Sequence, residues 1–138
     1  MYSRILVPVD LEHADKLGQA LELAAQTAKE SGAALTYLNV VDAVPTPSKQ
    51  SEGEKMAIRL KEFAAAQAQT HGIVAGEAVA LRSDFTLNVG ADIVKSAKEA
   101  QADLIIMASH VPGLKEHFLS SNAGYVASHA PMSVYVVR

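Results

Sequence analysis

The hydrophobic residues of the chain fall into short, nearly unbroken runs separated by longer stretches with helical spacing. Two of these runs, Arg4–Asp10 (RILVPVD) and Leu104–Ala108 (LIIMA), are almost wholly apolar. Runs of this kind are too short for helices and are typical of parallel strands buried on both faces. Because Pro8 has no N–H to donate to a strand ladder, we expect it at a strand end or bulge. Further strands are predicted at 34–41, 76–82 and 133–138.

Between the strands, apolar residues recur every three or four positions, which is typical of amphipathic helices. The pattern predicts helices at 14–30, at 52–71 and from about 88 to 100. Ser31-Gly32 and Gly72 would end the first two, and Thr86 or Asn88 would cap the third. A short fourth helix is predicted at 123–128, capped by the side chains of Ser120, Ser121 and Asn122.

Strands that alternate with helices in this spacing form right-handed crossovers and therefore a parallel sheet. We predict one α/β domain over residues 1–138, a doubly wound, Rossmann-like, three-layer α/β/α fold. Its five strands would be ordered 3-2-1-4-5. The order changes between the first and fourth strands, so Asp10 and Ser109-His110 would meet in one crevice at the carboxyl edge, where ligands bind in such sheets.

The amino-acid composition of the chain argues against some classes of binding partner. With 49% hydrophobic and 20% charged residues and a net charge of −3, the chain has the composition of a globular domain without a basic cluster, so we expect no nucleic acid partner. No apolar run approaches the roughly 20 residues of a membrane span. The chain has no cysteine, and its N-terminus passes directly into a strand without a signal-peptide pattern. We therefore expect a cytoplasmic protein that does not enter the membrane.

Motifs for hydrolysis, metal binding and P-loop phosphate binding are missing. Ser109, Ser120 and Ser121 lie outside any Gly-x-Ser-x-Gly elbow, and His110, His117 and His129 lack the paired spacing of zinc ligands. No Gly-x-x-x-x-Gly-Lys-Ser/Thr sequence is present. Two roles remain for the helix start at 120–123: it binds an anion through its unpaired N–H groups, or its side chains only cap the helix. The proline-containing segment 42–51 is predicted to be a surface loop, either a lid or a passive connector.

The last third of the chain resembles the C-terminal signature of the universal stress protein family. The matching residues are Met107, Ser109, His110, Leu114-Lys115-Glu116, Ser121 and His129-Ala130-Pro131 before Val134–Arg138, and Pro8-Val9-Asp10 resembles the first-strand motif. The resemblance implies the adenine nucleotide alpha hydrolase-like fold, ATP or another adenine nucleotide as cofactor, and dimers. The glycine motif departs from the family pattern, since Ala108, Val111 and Ser120 stand where its nucleotide-binding members have glycine, and only eight residues separate the last two.

Mapped through this resemblance, the adenine would lie near the ends of the first two strands and the phosphates between the loop and the fourth helix. Asp10 would either cap the following helix or contact the ligand. Val111, being β-branched and followed by Pro112-Gly113, would form a different, shorter turn than the glycine version. The candidate nucleotide-binding residues are Pro8, Val9, Asp10, Val40, Met107, Ala108, Ser109, His110, Val111, Ser120, Ser121 and Asn122.

We therefore expect a stress-response binding module that associates with a protein partner not identified by the sequence and binds an adenine nucleotide. The alternatives are a dimer that binds no nucleotide and a weak ATPase; no residue is assigned as catalytic. The final strand carries Val134, Tyr135, Val136 and Val137 without a proline or an inward charge to protect a sheet edge. A homodimer through residues 132–138 is predicted.

Overall fold

The computed structural model describes residues 1–42, 47–83, 88–109 and 118–138, which contain a five-stranded parallel sheet of order β3-β2-β1-β4-β5. This is the predicted order, and it places the two most apolar strands in the centre. The strands are β1 (Arg4–Pro8), β2 (Ala34–Asp42), β3 (Glu77–Ser83), β4 (Leu104–Ala108) and β5 (Ser133–Val137).

The helices are α1 (Gly18–Ser31), α2 (Pro47–His71), α3 (Val89–Glu99) and α4 (Phe118–His129), and a 3-10 helix spans Leu11–Lys16 before α1. The α1 helix packs against α2, and α3 packs against α4. This pairing gives one helical layer on each face of the sheet, the three-layer, adenine nucleotide alpha hydrolase-like architecture that was predicted.

Three helix starts differ from the prediction. The α1 helix begins at Gly18 and not at Ala14, because residues 14–16 belong to the preceding 3-10 helix. The α2 helix begins at Pro47, so the second half of the predicted loop 42–51 is helical; residues 43–46 lie outside the described residues. Proline is well tolerated at the first helical position because its missing N–H would have no partner there. The α4 helix begins at Phe118 and not at Ala123, so residues 120–122 lie inside it and not before its first residue.

The core lies between the sheet and the two helical layers. All five residues of β4 are buried, and four of the five residues of β1 are buried. On β2, Tyr37 is fully buried and meets the ring of Phe63 on α2 edge-on, with 5.3 Å between the ring centroids. Burial raises the pKa of Tyr37 to about 12. Its hydroxyl has no hydrogen-bond partner among the described residues, so packing of the ring holds it in place.

The two edge strands are more exposed than the centre. On β5, Val137 is buried, whereas Tyr135 keeps 53% of its surface exposed. On β3, Val79 is 37% exposed. None of the helices in the described part of the chain combines the length and the apolar character needed to cross a bilayer.

Candidate functional site

The central strands β1 and β4 separate before they end. Their pairing consists of Ile5↔Leu104 and Leu6↔Ile105. Beyond it, β1 continues along β2 to the pair Pro8↔Leu38, and β4 continues along β5 to the pair Ala108↔Val137. Each central strand therefore follows its outer neighbour over its last residues, and the two diverge at the carboxyl edge, where the crevice is predicted.

Hydrogen bonds past the strand ends extend this divergence. The Val9 N–H donates to the Leu38 carbonyl of β2 at 2.8 Å, and the Ser109 N–H donates to the Val137 carbonyl of β5 at 2.8 Å. The predicted residues Pro8, Val9 and Asp10 thus follow one wall of the crevice, and Met107, Ala108 and Ser109 follow the other. The side chains of Val9 and Met107 are fully buried and belong to the hydrophobic core.

Asp10 caps the 3-10 helix that follows β1, which is one of its two predicted roles. Its Oδ1 accepts a hydrogen bond from the Glu12 N–H at 3.2 Å, and its Oδ2 lies 2.8 Å from Nδ1 of His13. Its side chain remains 17% exposed and that of His13 39% exposed. Asp10 therefore has structural partners and also presents polar surface at the carboxyl edge.

The contact with Asp10 changes the protonation of His13. The hydrogen bond that His13 donates to Asp10 raises the pKa of His13 above its ordinary value of 6.5, and the negative charges of Asp10, Glu12 and Asp15 act in the same direction. Removal of water from the imidazole acts against them. Sequence analysis missed His13, although its spacing of three from a helix-capping aspartate was the available signal.

A second polar group at this edge was also missed. Asn39 on β2 is only 4% exposed, and its Oδ1 accepts a hydrogen bond from the Leu11 N–H at 3.4 Å. An amide inside an apolar strand is retained only when it is hydrogen-bonded. Asn39 thus ties the start of the 3-10 helix to β2, beside the predicted adenine-contacting residue Val40, which is half-buried.

On the opposite wall, Ser109 follows the last residue of β4. Its N–H continues the ladder to β5, and its Oγ donates to the same Val137 carbonyl at 3.3 Å. The hydroxyl is half-buried and faces no general base within hydrogen-bonding distance among the described residues. The hydroxyl is thus tied to the neighbouring strand β5, and that Ser109 is not a nucleophile stays a prediction.

The fourth helix carries the remaining predicted residues. Ser120 and Ser121 lie in the first turn of α4, and Asn122 lies directly after them. The Oδ1 of Asn122 accepts a hydrogen bond from the Gly90 N–H at 3.0 Å. Asn122 therefore caps the N-terminus of α3 and not that of its own helix. This is the physical reason for the wrong start of α4: the side chain expected to end the loop serves another helix.

Two predicted residues, His110 and Val111, lie outside the described residues. Of the other histidines, His129 lies at the end of α4, where its Nδ1–H donates to the Tyr125 carbonyl at 2.9 Å and its ring stacks on that of Tyr125. In the described ranges, no cluster of three or more His, Asp or Glu side chains is arranged to hold a metal ion. The carboxyl edge of the sheet thus offers the Asp10 carboxylate, the His13 imidazole, the Ser109 hydroxyl and backbone groups.

This chain is similar to several known proteins over its whole length. It is 25% identical over 146 residues to universal stress protein G of Salmonella typhimurium strain LT2, with 100% of both chains covered. A universal stress protein solved in complex with cAMP is 21% identical, with 99% of this chain and 97% of that chain covered and a TM-score of 0.73.

The universal stress protein of Archaeoglobus fulgidus in complex with dAMP is 19% identical, with 99% of this chain and 98% of that chain covered and a TM-score of 0.70. At these identities the two solved structures bear on the fold. The sequence itself matches the model of the universal stress protein family across residues 1–138. The chain therefore belongs to the universal stress protein family.

Proposed function

We propose that the chain is a cytoplasmic stress-response module that binds an adenine nucleotide in the crevice between β1 and β4. The observation that carries the proposal is the early end of the pairing between these strands, after Leu6 and Ile105. In open α/β sheets, ligands bind outside the carboxyl ends of the strands, where neighbouring connections run in opposite directions. The divergence of β1 and β4 provides that geometry.

The polar groups at the crevice suit a nucleoside. The Asp10 carboxylate can accept hydrogen bonds from sugar hydroxyls or an exocyclic amine, and Val9 and Val40 supply apolar surface for a base. The first turn of α4, with Ser120 and Ser121, offers N–H groups to a phosphate, because the first N–H groups of a helix have no partner within it. Relatives with the same fold have been solved with cAMP and dAMP, which supports adenine as the base.

The missing glycines favour a ligand with few phosphates. Ala108 and Val111 stand where nucleotide-binding members of the family have glycine. At the end of β4, the Cβ of Ala108 takes space next to the backbone that a glycine would leave open. We propose that a nucleoside monophosphate or cyclic monophosphate binds more tightly than ATP. The rival function is an interaction module with no nucleotide, whose crevice is filled by its own side chains.

The test combines chromatography of nucleotides released by denaturing the purified protein with calorimetric titration of cAMP, AMP, ATP and GTP. We expect an adenine compound to be released or to bind, and Ser109→Leu, which places a larger side chain directly after β4, to weaken binding at least about tenfold. Ser3→Leu makes the same substitution directly before β1, at the end of the sheet where the strands begin, and should leave binding unchanged. If no adenine compound is released or bound at millimolar concentration, the rival function holds.

A further inference from the structure

The Asp10–His13 pair bears on the charge of the carboxyl edge. A nucleotide phosphate is an anion, and an isolated carboxylate at the same edge would repel it. The Oδ2 of Asp10 lies 2.8 Å from Nδ1 of His13, so a protonated His13 compensates this charge locally.

We propose that His13 is a positioning residue of the adenine nucleotide site. It holds the Asp10 carboxylate against the 3-10 helix, and it offsets the charge of Asp10 so that the carboxyl edge accepts an anionic nucleotide. This inference rests on the proposed function. It adds His13 as the residue that adjusts the charge of the site. It also adds a ligand preference, because a protonated His13 favours anionic over neutral ligands.

The hydrogen-bonding chemistry defines which proton matters. An ionised carboxylate only accepts hydrogen bonds, so Nδ1 of His13 carries a proton in both charge states and donates to Asp10. The proton that comes and goes with pH is then the one on Nε2. Deprotonation keeps Asp10 in position but removes the compensating positive charge, so positioning and compensation are separable in an experiment.

Among the described residues, Asp10, Glu12 and Asp15 act on the charge of His13; all three are acidic and belong to the 3-10 helix or its cap. Since all three raise the pKa of His13, the protonated form persists to a higher pH than in an ordinary histidine. A bound anionic nucleotide would add a further negative charge and stabilise the protonated form again. By linkage, the affinity for an anionic ligand must then fall as the pH rises through this pKa.

The test measures the affinities of cAMP and of uncharged adenosine between about pH 5.5 and 8.5. In the wild type, cAMP affinity should fall about two- to tenfold over this range, and adenosine affinity should change less. His13→Gln keeps a donor for Asp10 without the charge, so it should bind cAMP with the high-pH affinity throughout. His13→Lys keeps the charge and should retain the low-pH affinity. His71→Gln, at the end of α2, should keep the wild-type profile.

A second readout needs no ligand. The ring of His13, followed by NMR, should titrate above pH 6.5 in the wild type and at a lower pH in Asp10→Asn. An unshifted titration in Asp10→Asn, or a cAMP profile in His13→Gln equal to that of the wild type, overturns the role of His13 while leaving the proposed function intact. A wild type that binds neither cAMP nor adenosine at any pH overturns both.

Discussion

The Oδ1 of Asn122 on α4 accepts a hydrogen bond from the Gly90 N–H at the start of α3, at 3.0 Å across 32 residues of sequence. Asn88, the residue directly before α3, caps the same helix end, because its Oδ1 accepts a hydrogen bond from the Ala91 N–H at 3.0 Å. Two asparagines thus satisfy two successive N–H groups that would have no partner within α3. The contact fixes α4, which carries Ser120 and Ser121, against the other helix of its layer.

We predict that Asn122→Ala destabilises the protein by about 1 kcal/mol, the usual cost of losing a helix cap. Asn88→Ala should cost a similar amount, because it removes the neighbouring cap of the same helix. Urea unfolding followed by circular dichroism measures both. If Asn122→Ala leaves the stability unchanged but abolishes nucleotide affinity, Asn122 serves the ligand and not α3.

The close packing of α3 on α4 requires glycine at position 90. A Cβ built there would lie 2.7 Å from Cδ1 of Tyr125, closer than carbon atoms approach in proteins, and 3.1 Å from its Cβ, which is a tight contact. Gly90→Ala should therefore destabilise by about 1–3 kcal/mol, although alanine favours a helix by about 1 kcal/mol.

The matched control is Gly124→Ala on α4, where an added Cβ meets no atom within 4 Å. Here only the helix preference acts, and stability should rise by about 0.5–1 kcal/mol. Chemical denaturation of both variants beside the wild type gives the comparison. Equal effects of the two substitutions would show that the contact with Tyr125 does not constrain the interface.

Patterns within a few residues predicted most of the fold. The unbroken apolar runs predicted β1 and β4, because a strand covered on both faces has no polar side to show. Asn88 was one of two predicted caps of α3, and capping was one of two predicted roles of Asp10, since both side chains act on N–H groups two or three residues away. The strand order followed from the rules for crossover connections.

Features that depend on distant partners could not be predicted in the same way. Ser120-Ser121-Asn122 has the chemistry of a helix cap, but the partner of Asn122 is Gly90, and nothing in local spacing reveals it. The early end of the β1–β4 ladder depends on register, which the apolar pattern alone does not specify. The role of Asn39 depends on where the chain turns after β1.

Where the strands begin, at the end of the sheet away from the carboxyl edge, Asp103 holds the start of β1. This contact leads to a prediction about acid stability. Its carboxylate accepts hydrogen bonds from the Ser3 N–H at 2.8 Å and the Arg4 N–H at 3.0 Å. The bond from Arg4 and then that from Ser3 lower the pKa of Asp103 below its ordinary value of 3.8. A lowered pKa contributes stability above pH 3.8 that is lost as the pH falls through the lowered value.

Asp103→Asn should therefore lower the unfolding temperature at neutral pH, and the difference from the wild type should shrink below about pH 4. Thermal unfolding at several pH values between 3 and 7 measures it. Glu99→Gln makes the same change of net charge at an exposed position and should follow the wild type. A constant difference between Asp103→Asn and the wild type at every pH would mean that the ionised carboxylate is not the stabilising species.

ATP hydrolysis by this chain should be marginal. The segment 110–117 contains one lysine, Lys115, and no arginine to balance the charge that develops on a γ-phosphate. Phosphate release from ATP, measured with purified protein, should remain far below the common enzymatic turnover of about 10 per second. A rate in that range would replace the binding module with an ATPase. Ser109→Leu then serves as the control that locates the activity at the crevice.

The exposed edge of β5 leads to a prediction about assembly. Its backbone pairs with β4 on one side, and Tyr135 is 53% exposed while Val134 and Val136 are half-buried. An edge strand without a proline or an inward charge is a surface for pairing with another strand. A second copy related by a two-fold axis can add the same strand in antiparallel orientation, because such an interface is self-complementary. We therefore predict a homodimer through residues 132–138.

Val136→Pro removes one N–H from this edge and should shift the protein from dimer to monomer in sedimentation experiments. Since Val136 also pairs with Met107 on β4, circular dichroism must first show that the variant is folded. Tyr135→Lys provides a second test, because it places a charge on the exposed side chain while every backbone donor is kept, and it should weaken the dimer in the same direction. Val79→Lys makes a similar change on the other edge strand, β3, and should leave the dimer intact. A wild type that sediments as a monomer at micromolar concentration would refute the dimer, and a dimer weakened by Val79→Lys alone would assign it to β3.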